Sequence, residues 1–279
     1  MSYKTILLHL DALPECRHRV EAGLDLATRF GARVRGLATT GSMVRAAGFG
    51  MAPSGVLLAE YQDYLEKQAR AAVAGFEEAA RGKAYARIES RITEENDVLA
   101  IARDARFADL VVIGQEAPGE RRADGSHLRP GDVVLACPRP VLVVPYIGAP
   151  TGFGKHILLA WNGSRESCRA ASDAMPLLKK AERVTVMVVN SADDDDDRNA
   201  PPGADLAAFL ADHDVAVTVQ DDKSPVREIG EELLSRIADL GADLLVMGAY
   251  GHSRTHEWVF GGTTRTILAS MTVPVLMSH

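Results

Sequence analysis

The chain alternates between short unbroken runs of Val, Ile and Leu and longer stretches in which apolar residues fall every three or four positions. Unbroken runs mark strands buried on both faces; the three-four spacing marks helices that bury one stripe. Strands are predicted at about 5–10, 33–38, 86–91, 109–114 and 140–145, then at about 156–161, 183–189, 215–220, 243–248 and 273–278. Val226, Ile229, Leu233, Ile237 and Leu240 form one helical stripe, which Ser224 can cap, Pro225 can open and Gly241 can end. Strands alternating with helices specify an α/β fold with a parallel sheet covered on both faces.

The pattern occurs twice. Lys4-Thr5-Ile6-Leu7-Leu8 returns as Lys155-His156-Ile157-Leu158-Leu159, an offset of 151. Ala108-Asp109-Leu110-Val111-Val112-Ile113-Gly114 returns as Ala242-Asp243-Leu244-Leu245-Val246-Met247-Gly248, and Pro140-Val141-Leu142 as Pro274-Val275-Leu276, both offset by 134. Two repeats of a five-stranded, three-layer α/β sandwich are therefore expected, 1–147 and 154–279, joined by a Gly- and Pro-containing stretch. The first repeat holds 17 additional residues, mostly between Gly41 and Gly82. A loop marked by Gly48, Gly50, Pro53 and Gly55 precedes one long helix from about Leu57 to Ala80, with Leu57, Tyr61, Tyr64, Leu65, Ala72 and Phe76 as its apolar stripe. The helix packing on its own sheet is the plain expectation, and the loop as a lid is the alternative.

Charge adds a second asymmetry. Residues 1–150 carry 19 basic and 19 acidic groups, whereas 151–279 carry 12 and 19, including the run Asp193 to Asp197, read as a solvated loop. A net charge of −7 and 5% aromatics argue against nucleic acid as a partner. No stretch reaches the ~18 apolar residues of a membrane span. Three cysteines without paired spacing, Cys16, Cys137 and Cys168, fit a reducing compartment, so the cytoplasm is expected.

Ligands of open parallel sheets bind beyond the carboxyl ends of the strands. In the second repeat the fourth strand runs into Gly248-Ala249-Tyr250-Gly251, nine residues follow, and Gly261-Gly262-Thr263-Thr264-Arg265 opens a helix. Two glycines at the strand exit allow a tight turn and close approach of a ligand. A Gly-Gly-Thr-Thr helix start offers free N–H groups, hydroxyls and the positive end of the helix dipole, which suits phosphate.

Here the sequence resembles the universal stress protein family, whose Gly-x2-Gly-x9-Gly-Ser/Thr motif Gly248, Gly251 and Gly261 match in spacing. Gly262 stands where the family has Ser or Thr, and Thr263 and Thr264 follow. The family's Asp-Gly-Ser-like turn after the first strand is Asn162-Gly163-Ser164, and Val189 matches its residue near adenine at the end of the second strand. The resemblance implies a tandem family member with strand order 3-2-1-4-5 in each repeat. It also implies ATP or a related adenine nucleotide, with or without Mg2+, in the second repeat. In the first repeat Asp11 matches the family Asp and Gly114 matches Gly248, but Ala117, His127 and Leu128 stand where Gly251, Gly261 and Gly262 would be. That repeat is expected to be a structural partner.

Other candidates are His252 and His256, spaced as zinc ligands can be but without a third ligand, and Arg254 and Arg265, cations available to phosphate. Trp161 and Trp258 suit packing or a pocket wall. Ser164 with His252 lacks the Gly-x-Ser-x-Gly elbow of a hydrolase, and no P-loop lysine follows Gly262. Nucleotide binding is thus read as regulatory, with no catalytic residue assigned; a slow ATPase or phosphotransferase using Thr263 or Thr264 with magnesium, and a nucleotide-free interaction module, are the rival readings. The final strands, Val141 to Val144 and Val273 to Met277, are expected to pair within the chain, since an exposed apolar edge invites pairing and fusion favours the intrachain partner. A homodimer of chains is open but not required by the sequence.

Overall fold

The computed structural model describes residues 2–41, 55–117, 128–189, 203–222, 229–251 and 262–279, with only the backbone at 55–58, 189, 221 and 222. The first half runs β1 (Thr5–Leu10), α1 (Cys16–Phe30), β2 (Arg33–Thr39), α2 (Gly55–Gly82), β3 (Ile88–Thr93), α3 (Asp97–Ala105), β4 (Leu110–Gly114), α4 (Pro130–Ala136) and β5 (Val141–Val144). The second half runs β6 (His156–Trp161), α5 (Arg165–Asp173), α6 (Met175–Leu178), β7 (Arg183–Val189), α7 (Ala204–Asp212), β8 (Val217–Asp222), α8 (Ile229–Leu240), β9 (Leu244–Gly248), α9 (Gly262–Ser270) and β10 (Val275–Ser278).

Strand order is β3-β2-β1-β4-β5 in the first half and β8-β7-β6-β9-β10 in the second, as expected. β1 lies parallel to both β2 and β4, and β6 parallel to both β7 and β9, so each half reverses its strand order beside its own first strand. By contacts the chain divides into two compact units, residues 3–139 with 146–148, and residues 1–2, 140–145 and 149–279. β5 belongs to the second of these. There it pairs antiparallel with β10, Val143 opposite Val275 and Val141 opposite Met277.

The repeated Ala-Asp pair has a structural meaning beyond strand propensity. Asp109 accepts hydrogen bonds from Lys4 N (2.7 Å) and Thr5 N (2.9 Å), tying the start of β4 to the start of β1. Asp243 accepts from Gly154 N and His156 N (2.9 and 3.1 Å) through Oδ1 and from Lys155 N (3.2 Å) through Oδ2, doing the same for β9 and β6. A carboxylate collecting several amides fixes the register of two strands that meet only in the fold.

The central strands are buried on both faces, Ile6 to Leu10 of β1 without a gap. Three strand starts shift by two residues: β3 begins at Ile88 rather than 86, β8 at Val217 rather than 215, and β10 at Val275 rather than 273. β3 and β8 end their half's strand order, and β3 is mostly polar and exposed, Glu89, Ser90 and Arg91 included. An edge strand lacks the two-sided burial that makes boundaries readable. The long helix spans 28 residues, about 42 Å at 1.5 Å per residue, which outreaches a typical strand. Its buried stripe is Ala69, Ala72, Phe76 and Ala80, whereas Tyr64, expected in the stripe, is exposed. Phe76 seats in a notch at Gly36, where a Cβ would lie 2.9 Å from its Cε1. Gly241 ends α8 with φ +62°, as expected. Ser224, Pro225 and Val226, the acidic run 193–197 and the loop read as a lid, apart from Gly41 and Gly55, lie outside the described residues. Among the described residues no helix is long and apolar enough to cross a membrane.

Candidate functional site

β6 runs out at Trp161 into the turn Asn162-Gly163-Ser164. Asn162 Oδ1 accepts from Ser164 N (3.2 Å), and Gly163 carries φ +72° with open space at its missing side chain. Ser164 then caps α5, its Oγ accepting from Ser167 N at 3.2 Å, while Ser167 Oγ returns a bond to Ser164 O at 2.9 Å. Such a turn-and-cap sequence uses short polar side chains to satisfy the amides a helix start leaves open.

The first turn of α5 presses on the end of β9. A Cβ on Gly248 would fall 2.5 Å from Ser167 N and 2.6 Å from the Glu166 carbonyl carbon, so glycine is needed there for the backbone of α5 to approach. A Cβ on Gly251 would fall 2.7 Å from Glu166 Oε2 and 3.0 Å from Ser164 Oγ. Neither glycine uses positive φ; the left-handed residue of this turn is Tyr250, at φ +60°. The sequence reading gave these glycines to turning and ligand approach; in the fold Gly248 also makes room for the backbone of α5, while Gly251 faces the side-chain ends of Glu166 and Ser164.

Glu166 is the residue of this corner that the sequence reading missed. It is buried in the first turn of α5, and Arg165 Nη2 donates to its Oε1 at 2.9 Å. Burial would raise the carboxyl, but the bond from its own amide, the Arg165 guanidinium and the nearby His279 outweigh that and hold it below the usual carboxylate range. It therefore stands ionised beside Gly251. The end of β10 closes the same corner: Ala249 N donates to Ser278 O (2.9 Å), His279 Nδ1 lies 3.0 Å from Ala249 O, Arg169 Nη1 donates to His279 O (2.9 Å), and the Tyr250 ring meets His279 edge-on. An acid two residues past the Ser164 cap, in the first turn of the helix, was the available sequence signal.

Of the predicted residues, the structure brings together Asn162, Gly163, Ser164, Gly248 and Gly251. Gly262, Thr263 and Thr264 form the first turn of α9, which carries no acid. Gly262 is exposed with open space at its missing side chain; Thr264 is buried; Thr263 lies against α8, its Cα 3.4 Å from a Cβ built on Gly230. Trp161 is half-buried and Arg265 exposed. Gly261, His252, Arg254, His256, Trp258, His127 and the side chain of Val189 lie outside the described residues. Among the described residues no group of three or more His, Cys, Asp or Glu could hold a metal ion. Cys16 and Cys137 are buried and Cys168 exposed, all three free; burial pushes the Cys137 thiol up to about 12.

Two parallel five-strand repeats ordered 3-2-1-4-5, each reversing beside its first strand, define a tandem doubly wound protein of the α/β class. The universal stress protein family profile matches residues 2–145 and again 154–279, so the chain belongs to that family. Among solved structures it is similar to a universal stress protein from Archaeoglobus fulgidus DSM 4304, at 16% identity over 98% of this chain and 95% of that one, with a TM-score of 0.74. It is also similar to a functionally unknown protein from Pseudomonas aeruginosa PAO1, at 14% identity over 99% and 92%, with a TM-score of 0.56. Identities this low speak for the fold alone. No curated protein matches the sequence.

Proposed function

We propose that the chain is a cytoplasmic stress-response protein whose second half binds ATP or a related adenine nucleotide and uses occupancy to bias conformation or partner contact rather than to drive turnover. The observation that carries this reading is the Gly248, Gly251, Gly261 spacing across the junction from β9 to α9, beside the strand reversal where Asn162 follows β6. Asn162, Gly163, Ser164, Gly248 and Gly251 form the wall on the β6 side, with Val189 at the end of β7 towards the base. Gly261, Gly262, Thr263 and Thr264 supply the phosphate end.

Two features support placing phosphate at α9 rather than α5. The α5 start is already occupied by its own Ser164 cap and by ionised Glu166, which repels an anion. The α9 start has no acid in its first turn, and among the described residues nothing lies within 4 Å of where a Cβ on Gly262 would be, so its dipole favours an anion there. A bound nucleotide would bring its phosphate charge and any Mg2+ with it; the chain's own part is to hold base, ribose and phosphate by short polar groups and backbone amides.

Gly261→Val tests the assignment. A branched side chain at the third glycine fills space needed by phosphate and restricts the backbone. Calorimetry with ATP should give one site per chain for the parent and none for Gly261→Val, with the circular dichroism of the two proteins superimposable. Equal isotherms would reject this placement. Mass spectrometry of small molecules released from the purified, denatured protein identifies the nucleotide carried.

A further inference from the structure

The first half has its own strand reversal, between β1 and β4, and Asp11 stands after β1 as Asn162 stands after β6. Asp11 builds the same turn, its Oδ1 accepting from Leu13 N at 3.1 Å. The space across the reversal is filled from within the half. Arg19 lies on the apolar stripe of α1 and is 3% exposed. Its Nε donates to His9 O at 2.8 Å, and its Nη2 sits 2.5 Å from Asp11 Oδ2. Its Nη1 sits 2.6 Å from where a Cβ on Gly114 would be. One guanidinium thus spans the end of β1 and the end of β4.

The repeat offset of 151 sets Arg19 opposite Ala170, which is fully buried in α5. With alanine there, backbone atoms of Glu166 and Ser167 are the nearest neighbours of Gly248. With arginine there, the three nearest neighbours of Gly114 are all Arg19 side-chain atoms, and the matched residues Glu15 and Cys16 are not among them. Gly251 faces the side chains of Glu166 and the cap Ser164 at the start of α5, and the position matched to it in the first half is Ala117.

We propose that Arg19 is a resident occupant of the first half's strand reversal, an internal cation locked on Asp11 and His9 that shuts this half to nucleotide, and that Ala170 is the small residue that keeps the second half competent. What the plug excludes rests on the nucleotide reading of the family site; the plug itself rests on the Arg19 contacts. A ligand entering the first half would have to strip a nearly buried carboxylate of its guanidinium, because the charge of Asp11, which matches the family Asp, is already compensated by Arg19.

The test has two arms on the full chain. In the first, 15N NMR follows the Arg19 Nε–H, assigned by its loss in Arg19→Lys. It should exchange far more slowly than exposed arginines and stay unmoved when ATP is added to saturation. An Nε–H exchanging at the solvent rate, or one that shifts with ATP, would overturn the plug. In the second, the plug is moved across in the double variant A170R/N162D. Loss of ATP retention in equilibrium dialysis, with the dichroism of a folded protein, supports the assignment, and retention equal to the parent's overturns it. A parent that binds no ATP sinks the nucleotide reading alone, and the Nε–H arm still decides the plug.

Discussion

The two strand reversals start from nearly the same turn and are finished by different chemistry. In the first half a long cation reaches back from the second turn of α1 and joins Asp11, His9 O and the end of β4. In the second half there is no such side chain, and the helix itself closes on β9, with Glu166 and Ser164 against Gly251. The choice at one helix position, Arg19 or Ala170, goes with the rest. On the proposed reading a charged filler takes the family acid out of use, whereas a small residue lets the α5 backbone close on Gly248 and leaves the neighbouring α9 start for a ligand. A degenerate motif in a tandem repeat is then a rebuilt corner rather than a decayed one.

The sharpest break of this comparison is Arg19→Met. The aliphatic stem keeps much of the packing, but Asp11 is left as a nearly buried carboxylate without its cation. Stripping one partner from a buried pair costs about 3–5 kcal/mol. Both tryptophans, Trp161 and Trp258, lie in the second half, so their fluorescence follows that half and far-ultraviolet dichroism follows both. In urea the dichroism of Arg19→Met should show an early transition that the tryptophan signal does not share. Coincident transitions at the parent's midpoint would show that the ion pair does not hold the first half. Adding Asp11→Asn should recover most of the loss, because the uncompensated charge is then gone.

Next in size is the pair Gly248→Ala and Gly114→Ala. The methyl at position 248 meets backbone of α5, which cannot swing aside, and over-packing of this kind costs about 1–3 kcal/mol. The methyl at position 114 meets the end of the Arg19 side chain, which must give way but can do so by side-chain rotation within its ion pair rather than by moving backbone. Gly248→Ala should therefore move the tryptophan midpoint by more than Gly114→Ala moves the early dichroism. Gly114→Ala and Arg19→Met should also fall short of additive, since both act on one contact. Equal effects at 114 and 248 would mean that the two corners are packed alike.

Much of this was written legibly. The unbroken apolar runs gave the central strands, the offsets gave the tandem repeat, and the glycine spacing gave the corner to inspect. Edge strands β3 and β8 were misplaced because their polar residues carry no burial pattern. Tyr64 was misread because a helix outreaching its sheet keeps a periodicity that nothing covers. The roles of Gly248 and Gly251 were hidden for another reason: the atoms they avoid, in Glu166 and Ser167, lie some eighty residues earlier, and a glycine reads the same whether it admits a ligand or a helix. Arg19 went unread as well, although it is a charge on the stripe Cys16, Val20, Gly23, Leu24 and Ala27, where an arginine needs a buried partner.

The smallest expected effect concerns the start of the two first strands, where Thr5 is matched by His156. His156 is buried, with Nε2 3.0 Å from Thr185 Oγ1. Its proton affinity lies below the ordinary histidine value, first because burial penalises the imidazolium and then because Arg183 repels it; a backbone bond near Leu240 and the charge of Asp243 pull the other way without winning. Above about pH 6.5, the unperturbed value, the ring is neutral in both the folded and unfolded chain and gives no pH dependence. As pH falls below that, the unfolded chain takes up the proton first, so stability drains from the second half until the depressed folded value is passed. His156→Thr, which copies the first repeat, removes this source. The tryptophan-monitored urea midpoint of the parent should fall more between pH 7.5 and 5 than that of His156→Thr, with the two curves parallel at higher pH. Identical slopes through that window would mean that His156 is protonated as readily in the fold as outside it, and that the two strand starts are electrostatically equivalent.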